Sequence, residues 1–385
     1  MGKVHSRAYQ AIPVTYPELG VFPDLIIAAD TVEERGEYAR NVLGYRESTT
    51  DYHDVINHPE VEVVSVCAPN FLHAEIGIAV AQAGKALWIE KPVGRNATDT
   101  AELHAAVVAN NIITSIGFNY RHVPAIEYIR TLIADGKLGR ITNVRGVFFA
   151  DYSADARGVL SWRFVRNLAG SGVLGDLLGH LSDLFAYTVG AISDVSARTS
   201  IIHGQRPEAS GAGTHFDVGG DGPLKDVENE DYAALLVQFG PDSMAPGAIG
   251  TLESSRVSIG NRARYEIEIF GTEGSVKWNF ERLNEVELAL GRNEPLVGYQ
   301  RVMAGPAFGD FSHFQPGAGT SMGYDDLKII EARKFLDAVV NGGNLNSNIN
   351  DALLAARVND AAEQSHATNA WVAIEPVAGT TSARR

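Results

Sequence analysis

The feature that most constrains the fold is a repeat in the first third of the chain, where a short apolar segment is followed by a loop and an amphipathic segment. Each unit takes roughly 30 residues, the length of a β-strand with its crossover helix. The apolar segments are predicted strands over residues 24–30, 62–67, 86–89 and 112–117. This alternation predicts a doubly wound parallel sheet that binds ligands at the carboxyl ends of its strands.

Beyond residue 120 the pattern changes. A predicted strand over residues 141–152 and a helix over 173–189 are followed by strands without helices between them. Those strands are predicted over residues 231–239, 247–257, 265–270, 275–280 and 286–290, and helices over 324–341 and 350–367 follow. Long strands at short spacing predict a large, open, mostly antiparallel sheet. The predicted fold class is therefore α/β plus α+β, with domains over residues 1–120 and 121–385.

The opening of the sequence lacks a strand. Residues from Gly2 onward have the pattern of the first helix of a Rossmann unit, which normally follows a strand and the fingerprint G-x-G-x-x-G. Gly2 occupies the place of the last glycine, where it would pack the helix closely on that strand. We therefore expect the sequence to start about ten residues into such a unit. The alternative is an N-terminus that dispenses with the strand.

Charge and cysteine content narrow the possible partners. The chain has 47 acidic and 32 basic residues, a net charge of −15, which argues against nucleic acid as a partner. One cysteine, Cys67, can form neither an internal disulfide nor a cysteine-rich zinc site. No apolar run approaches the roughly 20 residues of a membrane helix, and no export signal opens the chain. A cytoplasmic protein without membrane or nucleic-acid partners is predicted.

Charged residues follow two of the predicted strands. Asp30 ends the first one, where a carboxylate would accept hydrogen bonds from the adenosine ribose and repel a 2′-phosphate. This favours NAD over NADP, although Arg35 lies nearby and Asp30 could equally cap the next helix. Glu90 and Lys91 end the third strand, ahead of Pro92. Lys91 could place an ammonium beside a cofactor, or the pair could form a solvated loop.

The segment 170–183 has the densest combination of candidate residues. Asp176 and His180 are spaced i, i+4 on a predicted helix, with Asp183 one turn further on. A carboxylate beside an imidazole orients it and raises its basicity, as a general base requires. A structural pair and an exposed acidic face are alternatives, and we predict no metal because no further converging ligand is evident.

Two short segments combine an aromatic ring with a guanidinium. They contain Tyr120 with Arg121, and Trp162 with Arg163. Such pairs suit a polyhydroxylated ligand or a phosphate, but packing between the domains would explain them equally well.

Together these motifs resemble the glucose–fructose oxidoreductase, inositol dehydrogenase and rhizopine-catabolism family. The resemblance extends from Gly2 to about Val377, and no single motif decides it. The signs are the residues Gly2–His5, Ala68–Asn70 with His73, Gly84–Lys85 before Glu90–Pro92, Asn119–Arg121, Gly172–Asp176 with His180 and Asp183, and Gly271–Gly274. Within the family, Ser153–Asp155 and Leu160–Arg163 resemble the levoglucosan dehydrogenase branch.

The resemblance implies roles for individual residues. Lys91, Asp176 and His180 would be catalytic, with His180 taking the proton of a ring hydroxyl, Asp176 orienting His180, and Lys91 polarising the oxygen. The cofactor groove would be lined by Gly2, Asp30, Pro69, Asn70, His73, Glu90 and Asn119. The substrate candidates are Tyr120, Arg121, Trp162 and Arg163.

The implied activity is that of an NAD-dependent dehydrogenase acting on a secondary hydroxyl of a sugar, anhydrosugar or cyclitol. The resemblance also implies a homodimer or homotetramer formed through the C-terminal sheet. Redox-assisted glycoside hydrolysis with retained NAD, and a non-catalytic nucleotide-binding sensor, are the alternatives. Net release of NADH would separate the dehydrogenase from the hydrolase, and a sensor has no need of the three catalytic residues.

Overall fold

A computed structural model describes residues 1–208, 222–291, 298–343, 345 and 347–378. The first part of the chain alternates helices with short parallel strands. In chain order these elements are α1 (Gly2–Thr15), β1 (Ile27–Ala29), α2 (Glu33–Asn41), β2 (Glu47–Thr49), α3 (Tyr52–Asn57), β3 (Val63–Val66), α4 (Asn70–Gln82), β4 (Ala86–Ile89), α5 (Ala97–Asn110) and β5 (Thr114–Ile116).

The second part begins with a helix, a long strand and the helical segment of the candidate site. These are α6 (Pro124–Ala134), β6 (Ile141–Phe149), α7 (Arg166–Ala169), a π-helical turn (Leu174–Leu178) and α8 (Gly179–Thr188). The strands that follow are β7 (Ile192–Ser200), β8 (Gln205–Pro207), β9 (Leu224–Asp226), β10 (Tyr232–Phe239), β11 (Ile249–Ser255), β12 (Arg264–Gly271), β13 (Gly274–Asn279), β14 (Glu285–Leu290) and β15 (Gln300–Met303). Helices α9 (Tyr324–Asn341) and α10 (Ile349–Thr368) and strand β16 (Val372–Ala373) complete the described chain.

The N-terminal sheet is parallel and consists of two separate parts. Strand β1 pairs with β2, and β3, β4 and β5 pair in that order. Among the described residues no strand joins β1 to β3. Helix α1 contacts the second part directly, since the Tyr9 hydroxyl lies 2.9 Å from Ser65 Oγ. The parallel pairing confirms the predicted α/β class.

The C-terminal sheet has the order β15-β14-β13-β12-β6-β11-β10-β7-β16. Its pairs are antiparallel except for β6 and β11, which are parallel. One face packs against α6, α8 and α10 around a core that includes Leu181, Phe185 and Ile267. The prediction of a large, mostly antiparallel sheet is therefore confirmed.

The last two helices also pack on the N-terminal sheet. Trp88 on β4 is fully buried against α1 and against Phe335 of α9. The amide of Ile116 donates to the carbonyl of Ser347, just before α10. The hydrophobic core of the N-terminal unit thus includes residues from near the end of the chain. The division into domains at residues 120 and 121 stays a prediction. Within the described ranges, no helix combines the length and apolar character needed to cross a membrane.

Candidate active site

The candidate site lies where the carboxyl end of β4 meets the helical segment that starts at Leu174. Lys91 Nζ donates to the carbonyl of Asp176 at 2.7 Å and lies 3.3 Å from its Oδ1. Burial lowers the pKa of Lys91, although the neighbouring Asp176 opposes that shift. The two residues come from parts of the sequence 85 positions apart, so the fold brings these two predicted catalytic side chains together.

Two further side chains, both from the same C-terminal part of the chain as Asp176, contact the Asp176 carboxylate. The Tyr152 hydroxyl donates to Oδ2 at 2.6 Å, and an Arg163 guanidinium nitrogen lies 3.4 Å from Oδ1. Sequence reasoning did not select Tyr152. The available signal was its place at the end of the predicted strand 141–152, where a polar side chain can turn into a site.

His180 lies on α8 and is buried. Burial, and then the nearby Lys91 charge, lower its pKa well below the usual value, so the imidazole is neutral at pH 7. The Asp176 charge opposes that shift, but no described side chain forms a hydrogen bond with the ring. The π-helical turn Leu174–Leu178 changes the spacing of Asp176 and His180 from that of an α-helix, and the two side chains interact through charge without a hydrogen bond. The role of Asp176 in orienting His180 stays a prediction.

Arg121 has a structural environment instead of the predicted substrate contact. It is 2% exposed, and its Nε donates to Asp183 Oδ2 at 2.9 Å while a terminal nitrogen contacts Asp183 Oδ1 at 2.5 Å. The same nitrogen lies 3.2 Å from Asp351 Oδ1 on α10. A guanidinium so enclosed by carboxylates is not available to a ligand, so the prediction for Arg121 is wrong.

His73 also differs from its prediction. It is 1% exposed, and its Nδ1 and Nε2 lie 2.7 and 2.6 Å from the carbonyl oxygens of Pro92 and Ala68. Burial lowers the pKa of His73, so the neutral ring donates from one nitrogen only, while both nitrogens lie against backbone carbonyls. His73 thus packs between the loop after β3 and the loop after β4. It does not line a cofactor groove.

Glu90 takes part in a buried ion network beneath the site. Its Oε1 lies 2.9 Å from His5 Nε2 and 2.6 Å from Lys328 Nζ. Lys328 also reaches Glu331 Oε2 at 3.1 Å, and the Trp88 indole donates to Glu331 Oε1. Burial opposes ionisation of Glu90, yet Lys328 and His5 hold its pKa well below the usual value. Its predicted contact with a cofactor stays a prediction.

The remaining cofactor candidates line the edge formed by the strand ends and the start of α1. Pro69 and Asn70, at the start of α4, are half-buried, and Asp30 follows β1. The Asn119 side chain follows β5, is buried, and interacts with the Tyr324 hydroxyl at the start of α9. A polar amide beside the carboxyl ends of parallel strands is placed where such sheets bind dinucleotides, so the residues present fit NAD.

Asp30 and Gly2 have surroundings that differ in part from the expectations. Asp30 Oδ1 accepts from the amide of Val32 at 3.0 Å, but the N-cap of α2 is Val32 and no side chain caps that helix, so Asp30 is not its N-cap. A Cβ added to Gly2 would meet no heavy atom within 4 Å. The close packing predicted for Gly2 is therefore absent among the described residues.

The substrate candidates Tyr120 and Trp162 lie beside the catalytic candidates. Tyr120 packs edge-on against His180, with ring centroids 4.8 Å apart. The Arg163 guanidinium lies over the Trp162 ring at 4.6 Å, and the rings of Trp162 and Phe71 of α4 are in a T-shaped arrangement. No group of three or more histidine, cysteine or acidic side chains in the described ranges is arranged to hold a metal ion.

A parallel sheet of the Rossmann type, joined to a second unit that brings Asp176 and His180 close to Lys91, is typical of a dinucleotide-dependent oxidoreductase. Residues 1–118 match the model of an oxidoreductase family with an NAD-binding Rossmann fold, and residues 126–277 match the GFO/IDH/MocA C-terminal domain. The chain belongs to the GFO/IDH/MocA family of oxidoreductases. This confirms the predicted family, the enzyme class and NAD as the cofactor.

Several relatives are similar over nearly the whole chain. Levoglucosan dehydrogenase of Pseudarthrobacter phenanthrenivorans is 36% identical over 380 residues, which cover 98% of this chain and 96% of that protein. Inositol 2-dehydrogenase of Rhizobium meliloti is 24% identical over 97% of this chain and 96% of its own. A solved structure of levoglucosan dehydrogenase in complex with NADH and L-sorbose has a TM-score of 0.91 at 35% identity, covering 98% of this chain and 97% of that one.

Proposed function

We propose that the chain oxidises a secondary ring hydroxyl of a sugar, an anhydrosugar or a cyclitol with NAD as the acceptor. The observation that carries this proposal is the meeting of Lys91 and Asp176, from opposite domains, beside the neutral imidazole of His180. The relatives named above are dehydrogenases of an anhydrosugar and a cyclitol, which supports this substrate class.

The proposed mechanism assigns the proton and the charge to different side chains. His180, neutral and without a hydrogen-bond partner among described side chains, takes the hydroxyl proton of the substrate. Lys91 donates a hydrogen bond to the same oxygen and stabilises the negative charge that develops there. Bound NAD supplies the hydride acceptor at nicotinamide C4. Asp176 holds the Lys91 ammonium in place through the 3.3 Å contact.

Substrate and cofactor preferences follow from the edges of the site. Trp162 and Arg163 offer a ring face and a hydrogen-bond donor to a polyhydroxylated ring, and Tyr120 closes the wall beside His180. Pro69, Asn70 and Asn119 would contact the nucleotide. Asp30 favours NAD over NADP because a carboxylate repels a 2′-phosphate.

The proposed setting is a cytoplasmic homodimer or homotetramer. The support is on the outer face of the C-terminal sheet, where Leu236 of β10 and Ile249 of β11 are 45% and 54% exposed on adjacent strands. Apolar side chains on neighbouring strands of an uncovered face suit contact with another copy of the chain. Both relatives named above are dehydrogenases, neither a glycoside hydrolase nor a sensor, so the dehydrogenase is the single proposal.

The test is the absorbance of reduced nicotinamide, followed with NAD and NADP separately, over a panel of inositols, aldoses and levoglucosan. We expect NADH to accumulate in proportion to one class of substrate, with NAD favoured over NADP. Release of a leaving group without net NADH would instead establish the hydrolase chemistry. A protein that binds NADH and turns over no member of the panel would contradict the proposal.

A further inference from the structure

A four-residue segment, Glu228–Asp231, crosses beneath the loop and helix that carry the Asp176 side of the site. We propose that Asn229 and Glu230 are positioning residues, which set the placement of Arg163 and Asp176 relative to Lys91. This inference rests on the proposed function for its kinetic consequence, but its geometry is independent of any substrate.

Glu230 caps the helical segment that leads to Asp176. It is 4% exposed, and its Oε1 accepts from the amides of Gly172 at 2.8 Å and Leu174 at 2.9 Å. Its own carbonyl accepts from the amide of Val173 at 3.1 Å. Three successive amides at the start of the turn are therefore satisfied by one residue.

The backbone of Glu230 lies so close to residue 172 that only a glycine fits at that position. A Cβ added to Gly172 would lie 1.9 Å from the Glu230 carbonyl oxygen. The carbonyl of Gly172 in turn accepts from the amide of Asp176 at 3.0 Å. Glu230 is thus connected to the backbone of Asp176 through two successive hydrogen bonds, by way of Gly172.

Asn229 holds the other side chain that meets Asp176. It is 1% exposed, and its Nδ2 donates to the carbonyls of Arg163 at 2.9 Å and Ser171 at 3.3 Å. Arg163 reaches Asp176 from this fixed backbone. The neighbouring residues Asn229 and Glu230 therefore fix both partners of the Arg163–Asp176 contact.

Arg256 fixes the segment itself. Its Nε donates to Asp231 at 2.7 Å, and a terminal nitrogen contacts the Asn229 Oδ1 at 3.1 Å. That contact leaves the Asn229 amide nitrogen directed toward Arg163 and Ser171. The Arg256 guanidinium also lies over the ring of Phe164 at 4.5 Å, so the anchor and the loop that it holds are packed together.

The experiment compares two substitutions of Glu230 in the full-length protein. Glu230→Gln keeps the length of the side chain and an oxygen that can accept from both amides, whereas Glu230→Asp keeps the charge but shortens the reach. If position matters, the aspartate variant should lose about 10- to 100-fold in kcat, since a displacement of about 1 Å can have that effect. The glutamine variant should stay within about threefold of the wild type, and the Kd for NADH should be unchanged in both.

Asn348→Ala is the matched control, because Asn348 caps α10 and that helix carries none of the proposed catalytic residues. It should lower the melting temperature without lowering kcat. A full kcat in Glu230→Asp, or a loss in the glutamine variant as large as that in the aspartate variant, would overturn the positioning role.

A second readout needs no substrate. A crystal structure of Glu230→Asp should show the Lys91 Nζ–Asp176 Oδ1 distance lengthened from 3.3 Å, and an unchanged distance would overturn the proposal. If neither Glu230 variant folds, Asn229→Asp replaces the donor by an oxygen facing two carbonyls and should displace Arg163, raising the substrate KM. A wild-type protein that transfers no hydride would defeat the proposed function alone, since the crystallographic comparison would still decide this inference.

Discussion

Replacing Arg121 by methionine removes the cation from a buried cluster while nearly preserving the volume of the side chain. In the variant, the Asp351 carboxylate still accepts from the amide of Asn348 at 2.9 Å. The Asp183 carboxylate loses the two hydrogen bonds that Arg121 donates to it, which are its side-chain hydrogen bonds among the described residues. Removing one partner of a buried ion pair destabilises a protein by about 3–5 kcal/mol. We therefore expect the variant to lose about 4 kcal/mol of the free energy of unfolding.

Calorimetry converts this loss into a temperature. An unfolding entropy of about 2.1 cal/mol/K per residue gives roughly 0.8 kcal/mol/K for this chain, so the melting temperature should fall by about 5 °C. Burial already raises the pKa of Asp183 to about 7 in spite of Arg121. Without the cation that pKa rises further, so the folded variant retains a proton that the unfolded chain releases. The deficit should therefore grow as the pH rises above 7.

The double variant Arg121→Met with Asp183→Asn is the control, since it removes the orphaned charge and should recover part of the stability. The substrate KM should change little in Arg121→Met at temperatures well below unfolding. A variant with an unchanged melting temperature and a strongly raised KM would refute the structural role and restore Arg121 as a substrate ligand.

Three further substitutions test the site and its supporting network. His180→Ala should reduce kcat by about 10²–10⁴, the range for loss of a general base, with the Kd for NADH unchanged; full turnover would remove His180 from the mechanism. Tyr152→Phe deletes the 2.6 Å hydrogen bond to Asp176 and should lower kcat/KM by about 10- to 100-fold, as expected for a bond to a charged group; wild-type kinetics would show that Asp176 needs no such support. Burial raises the pKa of Glu331 to about 7, so the folded state holds a proton between pH 4.5 and 7 that the unfolded chain releases, and this contribution to stability falls across that window. Glu331→Gln removes this titration, so between pH 4.5 and pH 7 the free energy of unfolding of the variant should rise relative to that of the wild type, by at most about 3 kcal/mol. Denaturant unfolding of both proteins across this pH range is the measurement, and a constant difference between their free energies of unfolding would contradict the expectation.

Local sequence patterns predicted the elements with a dense apolar signal, such as the continuous apolar run of β4 and the apolar stripe of α9. Strand β4 and helix α9 have the predicted bounds 86–89 and 324–341. The patterns missed β2, which has three residues, and β7, whose buried positions alternate with serine, aspartate and arginine. In these strands pairing with neighbours, and not local composition, sets the conformation.

The candidate site shows the same division between local and distant causes. Lys91 and Asp176 were found because each lies at a recognisable position in its own motif. The error for Arg121 arose because one of its carboxylate partners, Asp351, is distant in the sequence and no local spacing reveals the pair. The π-helical turn before His180 was equally hidden, since its stripe of leucines fits an ordinary α-helix.

The packing of α9 and α10 on the N-terminal sheet has a consequence for biosynthesis. The ribosome makes β5 about 200 residues before it makes α9, a delay of roughly 10–40 s at 5–20 residues per second. During that interval Trp88 and its neighbours lack the side chains of Phe335 and Leu336 that cover them in the finished protein. Part of the hydrophobic core of the nascent N-terminal half therefore stays exposed to water until α9 has been synthesised.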